Sequence, residues 1–515
     1  MKLSKLKIKN FRGYEQEIKV DFDNFTAFVG KNDIGKSTIL EALEIFFNGK
    51  QGIIKIDKDD INKTNLKNGI TDIEIAVCFS NLPEKIILDS TAETTLTAEY
   101  LLNKENELEI IKRFPNAGSE KIFIKALHPT NTNCENLLLK KNSELKKIVT
   151  DLEISCTNNK INSLLRYSIW KRFESDLQLS EIEIDVSKSD ETKSIWDNIK
   201  KCLPIYSLFQ SDRKNSDGDN EVQDPLKEAV KQILNDVEIK EHLQAVATKV
   251  TNQLQSVAKS TLDKLQEMNP TVAKTLLPII PENESLKWND VFKNVAISSD
   301  EGIPINKRGS GIKRLILLNF FRAQAEKRVK DTDAPNVIYA IEEPETSQHY
   351  EHQLMLINAL KDLSKDEKNQ IIITTHSSTI VKQLSFSNLR LVMNNDSSKI
   401  IKHIEEKNLP YPSLNEVNYL AFNEVTEEYH NELYGFIEAE NWLGEFKQGK
   451  NLLDYKRVDS KTKNVKAEKK ILTEIIRHQI HHPENKENTH FTNNQLEESI
   501  NLMKQFILLK RNSEE

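Results

Sequence analysis

Residues 30–38 read GKNDIGKST, and this stretch limits the fold of the chain more tightly than any other. Upstream, IKVDFDNFTAFVG has the period-two alternation and β-rich content of strands. Downstream, STILEALEIFF has the apolar spacing of an amphipathic helix. The match to GxxxxGK(S/T) thus falls between a strand and a helix, the context the pattern requires. Gly30 and Gly35 let the backbone wrap so that its N–H groups face phosphate oxygens at a positive helix N-terminus. Lys36 adds a charge that reaches the outer phosphates, and the Ser37 hydroxyl can ligate Mg²⁺. Lys31, Asn32 and Thr38 complete the candidate phosphate-binding set.

A matching half lies farther along. NVIYAI, EHQLMLINALKDL and NQIIITTH alternate as strand, helix and strand, the rhythm of a parallel α/β sheet. The first strand ends in adjacent carboxylates, Glu342 and Glu343, at the sheet edge where bound phosphate would sit. One can hold Mg²⁺ and the other can orient or deprotonate an attacking water. The strand IIITTHSS ends in His376, placed to hydrogen-bond a γ-phosphate or that water. Between the halves, KRGSGIKRLILL sets Ser310 and Gly311 at the opening of a helix. Together, in this order, these pieces describe a site for binding a nucleotide's phosphates and hydrolysing the outermost one.

Composition narrows the partners. A chain of 515 residues supports a large buried core and about two to four domains. Its net charge of −7 excludes nucleic-acid binding through bulk charge and requires a local basic face instead. Lys2, Lys5, Lys7, Lys9 and Arg12 form one basic cluster, and Lys456, Arg457, Lys461, Lys463, Lys466, Lys469 and Lys470 another. Either is a solvated face or a binding patch. Cys78, Cys134, Cys156 and Cys202 form no CxxC pair, which argues against a zinc ribbon or disulfide framework and fits a reducing cytoplasm. No signal-peptide core and no apolar run of spanning length is present, so a soluble cytoplasmic protein without a membrane partner is expected.

The motif order resembles the ABC-type ATPase heads of the RecF, SMC and OLD group, and specifically the ATPases of bacterial antiphage systems. IKNFRGY is similar to that group's opening strand, with Arg12 near the nucleotide; GKNDIGKST to its Walker A, AIEEPE to its Walker B, RGSG to a shortened signature motif, and TTHSS to its switch histidine. LPIYSLFQSDR resembles the stretch with the Q-loop role, which makes Gln210 the candidate. The resemblance implies a P-loop α/β head that binds ATP and Mg²⁺ between two head-to-tail protomers. Ser310 of one would then face the γ-phosphate held by Lys36 of the other. Glu342 stands where many such heads have Asp, which puts fast turnover in question.

The expected organisation is an ABC ATPase head with a mixed, partly helical insertion and a small all-α C-terminal domain. Its parts are an N-terminal head lobe over 1–90, an insertion over 91–300 with a helical arm, a C-terminal head lobe over 301–410, and a helical region over 411–515. The Toprim nuclease of the OLD group is not expected, because no strand ending in Glu-Gly and no later Asp-x-Asp follows His376.

Near the end, AEKKILTEIIRHQIHH has helical Ile/Leu spacing and Pro483 closes it. Arg477, His478 and His482 give RHxxxH, which resembles the signature of HEPN ribonucleases; that resemblance implies metal-independent RNA cleavage by Arg477 and His482. A near-neutral histidine can move the ribose proton and an arginine fork can stabilise the phosphate. The same residues also read as a structural or docking helix, or as a Zn²⁺ pair at i,i+4 with Glu474 or His490 as loose third ligands. Three functions follow: an antiphage ATPase that controls its own HEPN-like RNase, one that regulates a separate HNH-type partner nuclease, or a RecF-like DNA-repair ATPase. Nucleic acid is an expected partner of each, as DNA sensed or RNA cleaved.

Overall fold

A computed structural model describes residues 1–88, 92–187, 190–210, 237–268, 336–346, 348–395, 398–404, 413–458 and 464–512. The chain divides into two compact units, Met1–Ser211 with Gln324–Glu515, and Asp212–Ala323. In the second, the described part is one helix, Val237–Met268, about 48 Å long at 1.5 Å per residue. The sequence reads this stretch as helical.

The first unit opens with β1 (Lys2–Lys9), β2 (Ile18–Asp21) and β3 (Phe25–Val29), followed by β4 (Ile73–Ser80), β5 (Leu108–Phe114), β6 (Lys121–Pro129), β7 (Leu179–Asp185) and β8 (Ile205–Phe209). After the second unit come β9 (Val337–Glu342), β10 (Asn369–Thr375), β11 (Leu389–Asn395) and β12 (Ser398–His403). The strands form two six-stranded sheets, ordered β2-β1-β4-β5-β6-β7 and β12-β11-β3-β10-β9-β8.

The first sheet is antiparallel and shows why β1 reads KLSKLKIK. Leu3, Leu6 and Ile8 are buried, although Leu3 and Leu6 break the period of two. A bulge between Leu3 and Lys5 against β4 absorbs the extra residue and returns Leu6 to the inner face. On the outer face, Lys5 pairs with Glu105 and Glu107, and Lys7 with Glu109. Much of the N-terminal basic cluster is thus neutralised inside the sheet rather than presented as a binding patch. This sheet also runs straight across residue 90, where the sequence suggested a lobe boundary: β4 and β5 are hydrogen-bonded neighbours.

In the second sheet, β8, β9, β10, β3 and β11 run parallel, and β12 closes it antiparallel. β3 is buried along its whole length, and β9 and β10 nearly so, as expected for strands covered on both faces. Helix α1 (Lys36–Asn48) follows β3 directly, and its Ile39, Leu40, Leu43 and Phe46 share one core with Leu6, Ile75, Ile338 and Ile372. The Tyr206 hydroxyl donates to the Leu40 carbonyl at 2.6 Å and pins α1 to β8. Gln370 of β10 stitches the two sheets, accepting from Leu3 N at 2.7 Å and donating to its carbonyl at 2.9 Å.

The C-terminal region is helical, with helices Leu414–Phe422, Glu427–Ala439, Leu443–Lys447, Leu472–His481 and Asn493–Asn512. It is not all-α, however. Much of the second basic cluster lies on a hairpin, β13 (Leu452–Val458) and β14 (Val465–Ile471), paired in register from Leu452–Ile471 to Val458–Val465. Ala467–Ile471, read as the start of a helix, therefore belongs to a strand, and the helix begins at Leu472. Tyr429, Leu433, Ile437, Ile476, Ile500, Met503 and Ile507 form the core of this region.

Candidate ATP-hydrolysis site

Parallel strands deliver their C-terminal ends to one edge of a sheet, where open α/β sheets place their ligands. Here β3 ends in the loop that opens at Gly30, β9 in Glu342 and Glu343, β10 in His376, and β8 in Gln210. Four candidate groups spread over more than 300 positions of the chain therefore share one edge.

The phosphate loop has the backbone its glycines suggest. Gly35 sits at φ 103° as the residue before α1, and Gly30 at φ 154°. A Cβ on Gly30 would lie 2.7 Å from the Val392 carbonyl oxygen of β11, so the loop can pass there only without a side chain. α1 starts with no side-chain cap and no acidic residue in its first turn, which leaves its N–H groups free to face an anion. Lys36 is 4% exposed and its Nζ donates to the Gly30 and Lys31 carbonyls at 3.0 and 2.8 Å. Burial pushes its ammonium below the usual lysine range, against the opposing pull of Glu343, Glu345 and Glu342. Thr38 follows Ser37 in the first turn of α1, and Asn32 is exposed on the loop.

Across the edge, the Ser37 hydroxyl donates to Glu342 Oε1. These two side chains would hold Mg²⁺, which supplies charge neutralisation to phosphate oxygens when bound. Among the described residues no cluster of three His, Cys, Asp or Glu side chains could hold a metal unaided. Mg²⁺ takes one or two oxygen ligands from a protein and fills the rest of its shell with waters and substrate phosphates, a set that a Ser–Glu pair suits. Glu343 adopts φ 41°, and its N–H donates to the Thr374 carbonyl at 3.0 Å, which turns the chain out of the sheet. His376 Nδ1 lies 3.2 Å from Glu343 Oε1, so the two groups expected to act on water and γ-phosphate stand side by side.

Arg12 and Gln210 meet on a residue the sequence reading passed over. Arg12 pairs with Glu41 of α1 and, at 2.7 Å, with Asp60; Gln210 Nε2 donates to the other Glu41 oxygen at 3.4 Å. Glu41 lies one turn after Ser37 on the same helix face, and that i,i+4 spacing was the available signal. Three further groups went unnoticed. Tyr14 donates to the Gly35 carbonyl at 3.0 Å, Lys399 of β12 to the Asp33 carbonyl at 3.2 Å, and Glu345 receives the His376 N–H at 2.9 Å. Glu345 was visible as the third carboxylate of EEPE; Lys399 had no local signal. Ser310 and Gly311 lie outside the described residues.

The C-terminal motif is laid out differently. The Arg477 guanidinium stacks over Tyr434 at 4.1 Å and donates to Glu438 at 3.1 Å. His482 stands just past the helix end, 3.2 Å from Glu484 and stacked on His478, whose ring in turn stacks on Tyr455. Burial, reinforced by Lys470, lowers the His478 pKa. Within one chain, then, Arg477 and His482 have separate partners. Neither Glu474, paired with Lys447, nor His490 makes a metal cluster with the histidines among the described residues, so the Zn²⁺ reading is not supported.

The model of the AAA ATPase domain family matches residues 1–381 of this chain. The chain belongs to that family. As an AAA ATPase domain protein it is similar to Endonuclease GajA of Bacillus cereus strain VD045, with 21% identity over 404 residues, covering 78% of this chain and 59% of that protein. Endonuclease GajA of Bacillus cereus strain HuB5-5 is 23% identical over 431 residues, covering 74% and 58%. The chain thus spans less than two thirds of the length of these relatives. Among solved structures, the Smc head bound to the C-winged helix domain of ScpA is 14% identical, with a TM-score of 0.39 over 79% of this chain and 99% of that one. The SMC head domain from Thermotoga maritima is 12% identical, with a TM-score of 0.32 over 79% and 100%. No described helix is long and apolar enough to cross a membrane.

Proposed function

We propose that the chain is the ATP-driven switch of an antiphage system, a head-to-tail dimer or higher oligomer that binds and hydrolyses Mg²⁺-ATP and thereby controls a nuclease. The observation that carries this reading is the turn after His376. There the Ser378 hydroxyl donates to Glu424 at 3.1 Å and Lys382 pairs with Glu428 at 2.7 Å. The group placed to sense the γ-phosphate is thus followed immediately by bonds to the C-terminal region.

In this mechanism the N–H groups from Lys31 to Thr38 bind phosphate, and Lys36 leaves its carbonyl partners to meet the outer phosphates. Glu343 orients or deprotonates the attacking water, and His376 donates to the γ-phosphate. Ser310 and Gly311 of one protomer complete the site of the other. Glu342 reaches farther than an aspartate would, so turnover is slow and closure of the dimer is the signal.

The similarity to two endonucleases supports a nuclease at the output, on this chain or on a partner. The separate engagement of Arg477 and His482, and the hairpin beside them, favour a docking role for the C-terminal region with the nuclease supplied by a partner. The rival reading is an RNase site completed across the dimer. Incubating the protein with total RNA, with and without ATP, in EDTA and in Mg²⁺, beside His482→Ala, separates the two. Cleavage that survives EDTA and disappears in His482→Ala assigns the RNase to this chain. No cleavage under any condition favours a docking helix and directs the search to a partner nuclease.

A further inference from the structure

One carboxylate at the sheet edge has no part in the mechanism above. Glu345 is 4% exposed. Its Oε1 accepts from the Thr375 hydroxyl at 2.7 Å and from the His376 N–H at 2.9 Å, and lies 3.5 Å from His376 Nδ1. Its Oε2 is also buried and has no hydrogen-bond partner among the described residues. Burying a carboxylate with an oxygen unpaired is unfavourable, and a neutral amide would serve Thr375 and the main chain as well. The retained charge therefore points to the imidazole. Two carboxylates flank Nδ1: Glu343, the group assigned to the attacking water, at 3.2 Å, and Glu345 at 3.5 Å.

We propose that Glu345 is a positioning residue for ATP hydrolysis. It keeps His376 Nδ1 and the His376 main chain in place when Glu343 turns to the attacking water, so that Nε2 of the same ring stays available to the γ-phosphate. This rests on the hydrolysis reading of the site.

Two measurements test it. The first uses the nucleotide-free chain with ¹⁵N-labelled histidine in a Glu343→Gln background, where Glu345 is the carboxylate left beside the ring. The His376 signal, identified by its loss in His376→Gln, is expected to show a proton on Nδ1 and to shift to a mixture of tautomers when Glu345→Gln is added. An unchanged signal overturns the positioning. The second is turnover. Glu345→Ala is expected to lower kcat roughly 10- to 100-fold with ATP affinity kept, and to add little to His376→Ala. Glu345→Gln, which preserves both oxygen-accepted bonds and hence the fold, is expected to keep the wild-type melting temperature while losing part of kcat. Additive losses, or a loss of affinity equal to the loss of kcat, mark a merely structural residue and overturn the proposal. The ring signal needs no turnover, so its absence sinks the positioning, whereas an inactive wild type sinks the hydrolysis reading.

Discussion

The Ser378 hydroxyl donates to Glu424 Oε1 at 3.1 Å, joining the turn behind His376 to the link between the helices Leu414–Phe422 and Glu427–Ala439. Together with Lys382–Glu428 it makes a short mechanical path from the nucleotide edge to the helix Glu427–Ala439. If ATP moves His376, that helix is the first element outside the head to respond.

Breaking the path should therefore uncouple the two ends without disabling either. The double variant Ser378→Ala, Glu424→Ala is expected to hydrolyse ATP within about 2-fold of wild type and to lose roughly 1–2 kcal/mol of stability from the bond removed. Hydrogen exchange reads the coupling: ATP changes protection of Glu427–Ala439 in the wild type and changes it much less in the variant, where Lys382–Glu428 is the link that remains.

The loop geometry gives a separate expectation. Gly30→Ala places a Cβ 2.7 Å from the Val392 carbonyl oxygen, at a φ of 154° that a side chain tolerates poorly. The cost is on the order of 1–3 kcal/mol, taken from stability or from the closed loop. Thermal melting with and without Mg²⁺-ATP measures it: the variant should melt earlier and gain little from the ligand.

Stability should also depend on pH in a defined direction. Burial holds His128 at about 4 and His430 at about 4, against 6.5 in the unfolded chain. His430 is locked among Ser499 and Thr473 in the C-terminal core, and His128 beneath Tyr100. Between those values the unfolded chain binds protons that the folded chain refuses. Stability is therefore highest above pH 6.5 and falls as pH drops toward 4, by up to about 3 kcal/mol per histidine. Denaturant midpoints from pH 7 to 4.5 check this, and His430→Gln should flatten their slope against pH. An unchanged slope would show that His430 titrates freely.

The head was legible because doubly covered parallel strands appear as continuous apolar runs, as in VIYAI and IIITT, and each run ends in the polar group it delivers. β13 and β14 were not, since Tyr455 and Ile471 are their buried side chains and the rest face water without an apolar period. β5 to β7 were obscured by the polar, Asn- and Lys-rich segments that join them. Glu345 and Lys399 matter through partners brought near by the fold, and spacing along the chain does not encode such pairs. Glu41 was readable by helical periodicity alone.

The most direct test is ATP binding and turnover by the purified chain beside Lys36→Ala and Glu343→Gln, in Mg²⁺. Wild type should bind and slowly hydrolyse ATP, and Lys36→Ala should bind none. Glu343→Gln should bind normally and accumulate in the ATP-bound, associated form, with turnover down by about 100-fold or more. Equal turnover in all three proteins would contradict the assignment of this sheet edge as an ATP-hydrolysing site.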